Sequence, residues 1–129
     1  MSLPSESSRK FCFISCSNQN SLAEYFDLSR FDNNLDFSFE NFNLDELKIF
    51  NPNIIVIDQY FCENDCSDII KSLKLNFNKA NIYFLSPEYA NQKGIVQPIK
   101  NENHYYSNFS IDIRNHINTF SENEYLAVS

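Results

Sequence analysis

Apolar residues along this chain fall into two rhythms, continuous short runs and helical spacing, and they alternate. Phe11-Cys12-Phe13-Ile14-Ser15 is a short apolar run that gives way to the polar Cys16-Ser17-Asn18, which predicts a buried strand and a turn. Asn20 or Ser21 can then cap a helix carrying Leu22, Ala23, Tyr25 and Phe26. Leu35-Asp36-Phe37-Ser38-Phe39 alternates with period two and predicts a second strand. Asn43 precedes a helical stretch from Leu44 to Phe50 with Asp45 and Glu46 in its first turn, where the helix dipole favours carboxylates. That helix must stop before Asn51-Pro52, because the residue preceding a proline is pushed out of the helical region.

The strongest segment is Ile54-Ile55-Val56-Ile57, a β-branched run of the kind buried on both faces of a parallel sheet. It ends at Asp58. The loop from Gln59 to Asn64 leads to Asp65, a cap for a helix through Ile69, Ile70 and Leu73. Asn81-Ile82-Tyr83-Phe84-Leu85 predicts a fourth strand ending in Ser86-Pro87, and Ile95-Val96 a short fifth one. Gln97-Pro98 reads as a rigid turn in which a cis bond is one option. Ser110 or Asn108 opens a last helix with Ile111, Ile113 and Ile117. Strands alternating with helices predict an α/β doubly wound, five-stranded parallel sheet. The expected division is a polar leader over 1–9, one domain over 10–120, and a tail or linker stub over 121–129. Chemistry in such sheets gathers at the carboxyl ends of the strands, here Ser15 to Ser17, Asp58, Ser86 and Gln97-Pro98.

Composition narrows the function. The 129 residues carry a net charge of −7, which disfavours nucleic acid and anionic membrane surfaces as partners. A single glycine, Gly94, rules out the glycine-rich loops that cradle phosphates in nucleotide-binding folds. No apolar run has the length of a membrane span, and the first ten residues lack the apolar core of a signal peptide. Four cysteines in two widely separated pairs do not make a disulfide framework, so a cytoplasmic location is expected. Cys12 and Cys16 would stand about 13 Å apart on an extended strand, too far to share a zinc ion with bonds near 2.3 Å. Burial as small apolar side chains is the expectation for the cysteines, and exposure for His104 and His116. The aromatic group His104-Tyr105-Tyr106 with Phe109 either forms a partner surface or covers the core.

Asn51-Pro52-Asn53-Ile54-Ile55-Val56-Ile57-Asp58 resembles the centre of a response-regulator receiver (CheY-like) domain. In that family an X-Pro-Asp/Asn lead-in enters the strand whose last residue is the phosphorylated aspartate. Asp65 stands where the family opens its third helix, Ser86 where a Ser/Thr supports the phosphoryl group, and Val96-Gln97-Pro98-Ile99 where Val-Lys-Pro-Phe is found. The resemblance spans Lys10 to Phe120 and implies a flavodoxin/CheY-like fold, with Asp58 as phosphoacceptor and Ser86 and Gln97 as supporting positions.

The departures matter as much. The family's Mg²⁺-binding acidic pair falls on Ser15, Cys16 and Ser17, none of them a carboxylate, and its phosphate-pairing lysine falls on Gln97. Phosphoryl transfer depends on neutralising charge, which hydroxyl and amide groups do not do. The family's aromatic switch position is Gly94. Pro87 to Lys93 holds fewer than two helical turns of about 3.6 residues, so a shortened or missing fourth helix is expected. What the resemblance implies is therefore a degenerate receiver of a two-component phosphorelay. It would act by protein–protein contact with a partner or neighbouring domain, with homodimerisation open, and without enzymatic activity or a resident cofactor. Two alternatives remain. One is a conventional receiver phosphorylated on Asp58 with Mg²⁺. The other is a phosphotransfer protein using Cys16, from a weak resemblance of Ile14-Ser15-Cys16-Ser17 to the loop of sugar-transport IIB domains.

Overall fold

The computed structural model describes residues 9–15, 33–59, 67–86, 94–99 and 102–128. Their five strands are β1 (Lys10–Ser15), β2 (Asn33–Ser38), β3 (Ile54–Asp58), β4 (Asn81–Leu85) and β5 (His104–Ser107). The described helices are α1 (Leu44–Phe50), α2 (Ser67–Asn76) and α3 (Ser110–Val128). All strand pairings are parallel and the order is β2-β1-β3-β4-β5. This is a doubly wound α/β sheet with the flavodoxin/CheY-like order.

The apolar runs become the centre of the sheet because parallel strands lie between two layers. On one face Phe11, Phe13, Ile54, Val56, Tyr83 and Tyr105 pack with Ile113 and Ile117 of α3. On the other, Cys12, Ile14, Ile55, Ile57, Ile82 and Phe84 pack with Leu47 of α1 and Leu73 of α2. β1, β3, β4 and β5 thus serve both cores with alternate residues, as a period of two demands, whereas β2 gives Leu35 and Phe37 to the second core alone.

The turns are built from asparagine where a glycine-poor chain needs special geometry. Asn43 Oδ1 accepts the Glu46 N–H (3.0 Å) at the start of α1. Asn51 ends that helix in the left-handed region with φ 55°, donating its N–H to the Leu47 carbonyl at 2.8 Å. Asparagine tolerates that conformation better than most residues. Asn53 then ties β3 to β1, its Oδ1 accepting the Lys10 N–H at 2.9 Å.

The fifth strand is not where the β-branched pair Ile95-Val96 places it. The sheet takes His104–Ser107 instead, pairing Ile82 with His104 through Leu85 with Ser107. Tyr105 is buried in one core, and Tyr106 stacks on Phe84 (centroids 4.7 Å) toward the other. Val96 makes only an isolated antiparallel bridge to Tyr106 on the outer edge of β5. The Gln97–Pro98 peptide bond is trans. The helix expected after Ser21 and the shortened fourth helix over 87–93 lie outside the described residues. Helix α3 runs on to Val128, into the stretch expected as a tail. No described helix is long and apolar enough to cross a membrane.

Candidate functional site

The carboxyl ends of the five strands carry Ser15, Ser38, Asp58, Leu85-Ser86 and Ser107. Ser15, Ser38, Ser86 and Ser107 are also the only buried polar side chains among the described residues. The buried serines among the described residues therefore all lie at the end where doubly wound folds carry their sites.

Register fixes how these positions stand to one another. Ile14 pairs with Ile57, so Ser15 and Asp58 are the next residues on adjacent strands, which parallel strands space at about 4.8 Å. Asp58 pairs with Leu85, and Ser86 follows, its N–H donating to the Ser107 carbonyl at 2.9 Å. Strand alternation places Asp58 and Ser15 on the α3 side, in line with Val56 and Phe13 of that core. Asp58 is partly exposed, whereas Ser86 and Ser107 are 3% and 1% exposed.

The hydroxyls already have employment in the fold. Ser107 Oγ accepts the Phe109 N–H at 3.1 Å, turning the chain from β5 into α3. Ser38 Oγ accepts the Asn41 N–H at 3.3 Å, while Asn41 Oδ1 accepts the Ser38 N–H at 2.7 Å. Ser15, Asp58 and Ser86 are engaged as well. The described strand ends offer one carboxylate, Asp58, among short hydroxyls, a set that can hydrogen-bond an oxygen but cannot neutralise an anion.

Gln97 does not belong to this rim. Val96 runs antiparallel to Tyr106, so the chain after it heads for the amino end of the sheet, and Gln97 Nε2 donates to the Glu102 carbonyl there. Ser107 ends β5 instead, a position that sequence reading missed because His104-Tyr105-Tyr106 lacks a β-branched run. Cys16, Ser17, Cys62, Asp65 and Cys66 lie outside the described residues. Cys12 is fully buried in β1; burial, with a smaller push from the Asp36 carboxylate, raises its thiol far above the ordinary value of 9.0. It is no nucleophile. No three His, Cys, Asp or Glu side chains among the described residues come together as a metal site.

The histidines are not simply exposed. His104 opens β5 with Nδ1 at 3.2 Å from a Glu102 carboxylate oxygen. His116 is partly buried, its Nδ1 2.8 Å from Tyr83 Oη. The aromatic group therefore serves the core: Tyr105 stacks on Tyr83 at 5.0 Å, and only Phe109 stays substantially exposed.

No family model matches the chain, and no curated protein or solved structure matches it either.

Proposed function

We propose that this chain is a receiver-like signalling domain of the two-component type, acting in the cytoplasm by protein–protein contact and without Mg²⁺-dependent phosphorylation. The carrying observation is the make-up of the strand ends in a sheet of order β2-β1-β3-β4-β5. Asp58 ends the central strand as a receiver phosphoacceptor would. Its described neighbours at that end are serines, with no second carboxylate and no cation among them. Moving Gln97 away from the rim takes a further supporting group from any phosphoryl chemistry there, because Ser107 stands at the end of β5 in its place. One carboxylate beside serines, which is what the described strand ends supply, gives Mg²⁺ few anionic ligands and gives a phosphoryl oxygen little counter-charge. In this reading the fold is kept for its surface, and a partner protein or neighbouring domain reads it.

One observation favours the conventional reading: Asp58 is partly exposed, so a phosphodonor can reach it. An amide NMR titration separates the two, first with Mg²⁺ and then with beryllofluoride, which mimics a phosphoryl group on aspartate. The expected result is no saturable shift at either step. Saturable shifts at Ser15, Asp58 and Ser86 would overturn the proposal and restore phosphorylation on Asp58.

A further inference from the structure

The two margins of the sheet are guarded in different ways. A strand edge offers its N–H and C=O groups to any other chain, and natural sheets blunt it with charge, proline or a covering segment. Strand β2 carries the exposed Asp36. Around β5 charge is scarce: from Gly94 to Ile111 only Lys100 and Glu102 are fully charged, and they cancel, in a chain of net charge −7. The guard at this margin is backbone. The carbonyls of Asn103 and Ser107 accept from Ile82 and Ser86 of β4, so by alternation the main-chain groups of His104 and Tyr106 face away from β4. Val96 meets Tyr106 there, its N–H donating to the Tyr106 carbonyl and its carbonyl accepting the Tyr106 N–H, each at 2.8 Å. Among the described residues no backbone bond engages the outward groups of His104.

The covering segment is short. Gly94 opens it at φ 77°, with nothing within 4 Å of the place a Cβ would take, so glycine serves the direction of the chain rather than packing. Ile95 packs against the α3-side core, Val96 makes the bridge, and Gln97 Nε2 donates to the Glu102 carbonyl. The residues next along the chain are apolar and open to solvent. Ile99, after the bridge, is 57% exposed, and Phe109 and Ile111, after β5, are 48% and 46% exposed. Three of the five large apolar side chains exposed among the described residues thus flank this segment and β5 in sequence.

We propose that Gly94 to Gln97 form a displaceable strap, and that the β5 edge beneath it pairs with β5 of a second copy of this chain, antiparallel about a two-fold axis at Tyr105. In that register His104 of each copy stands opposite Tyr106 of the other. Both residues turn their main-chain groups outward, so each such pair exchanges two bonds, four in all. Lifting two straps breaks the same number, and the main-chain count balances. The strap has the advantage of belonging to the same chain, which gives it a high effective concentration. It keeps the dilute protein monomeric, and whatever draws it off yields the edge to a second copy. The neutral margin favours that occupant, because two chains of net charge −7 meet here without like charges at the contact. The pairing also closes on itself: both β5 edges are used, and each outer margin is a β2 carrying Asp36. This interface is separate from the strand-end site and stands whether or not Asp58 accepts a phosphoryl group.

Two proline substitutions test it. Val96→Pro removes the N–H that holds the strap to Tyr106. Sedimentation velocity, without Mg²⁺ or a phosphodonor and at a concentration where the unaltered protein is a monomer, should show this variant as a dimer. Adding His104→Pro should return the monomer. Its N–H faces outward at the first residue of β5, so a proline there removes a bond of the β5–β5 pair and none of the β4 ladder. Should Val96→Pro fail to fold, amide exchange in the unaltered protein is the readout. The Val96 and Tyr106 amides should exchange together as the strap opens, several-fold faster than the Tyr105 amide, which faces β4. A folded Val96→Pro protein that stays monomeric, a dimer that survives His104→Pro, or a Tyr106 amide as protected as that of Tyr105 would each overturn the proposal.

Discussion

At the scale of single residues, position in the sheet decides what a side chain can do, and sequence spacing alone misplaces two of them. Gln97 lies one residue before a proline, as a receiver lysine does, yet the antiparallel return at Val96 carries it to the wrong end. His116 has no ligand partner at recognisable spacing, so it reads as exposed. Its place three residues after Ile113 and beside Ile117 sets it on the inward stripe of α3, a signal that was available. The place of Asp58 at the carboxyl end of β3 was legible because a β-branched run ends in a single acid. Cys12 gives a residue-scale prediction. Treated with iodoacetamide at about pH 8, where an ordinary thiol reacts through its thiolate, the native protein should leave Cys12 unmodified and the denatured protein should label it fully. Peptide mass spectrometry reads the difference, and full labelling of native Cys12 would refute its burial. Above the ordinary value of 9.0, the unfolded chain releases this proton and the folded chain retains it. Stability should accordingly fall as pH rises beyond that point, by the Cys12 contribution, and Cys12→Ala should lessen the slope.

At the scale of elements, legibility follows how much local chemistry each segment carries. Helix α1 was readable from end to end because its start and stop are written in side chains: Asn43 caps it and Asn51 turns it off ahead of Pro52. Replacing Asn43 by alanine removes the acceptor for the Glu46 N–H and should cost about 1 kcal/mol in denaturant unfolding. Asn43→Asp should cost far less, since it restores both the acceptor and a charge suited to the helix start. Equal losses for the two variants would mean that the cap does not act through its side chain. Strand β5 was not legible. Ile95-Val96 has the better β composition, but composition reports a fit to a half-buried pleat rather than a backbone instruction. The partner decides: Tyr83 and Phe84 of β4 offer aromatic surfaces on both faces, and Tyr105 and Tyr106 stack on them. Tyr105→Ala should therefore destabilise the fold by about 3–5 kcal/mol, in the range of buried aromatic truncations. Val96→Ala, at a partly exposed bridge, should cost under about 1 kcal/mol. The reverse order would put the fifth strand back at Ile95-Val96.

At the scale of the whole molecule, the sheet order assigns each strand a different dependence on the rest. The doubly wound class was legible because four apolar or alternating runs were separated by helical stretches, and right-handed parallel crossovers leave few ways to assemble them. Centrality was most legible for β3, whose β-branched run is apolar on both faces as only a strand covered on both sides can be. Its Ile54 to Ile57 are buried and pair with β1 on one side and β4 on the other. Strand β2 sits at the margin, paired only to β1 among the described strands, with Asn33, Asn34 and Asp36 exposed. Opening β3 requires separating two ladders and both cores, whereas fraying β2 requires one ladder and little apolar surface. Native-state hydrogen exchange should therefore give the Ile55 and Val56 amides protection equal to global stability, and the Asn33 and Leu35 amides markedly less. Ile55→Ala should cost about 2–5 kcal/mol and lower the slowest-exchanging amides of β1, β3 and β4 together. Leu35→Ala, at a half-buried edge position, should leave those slowest amides nearly unchanged while raising exchange in β2. If β2 proves as protected as β3, the sheet does not end at β2, and a further strand or a second molecule covers that edge.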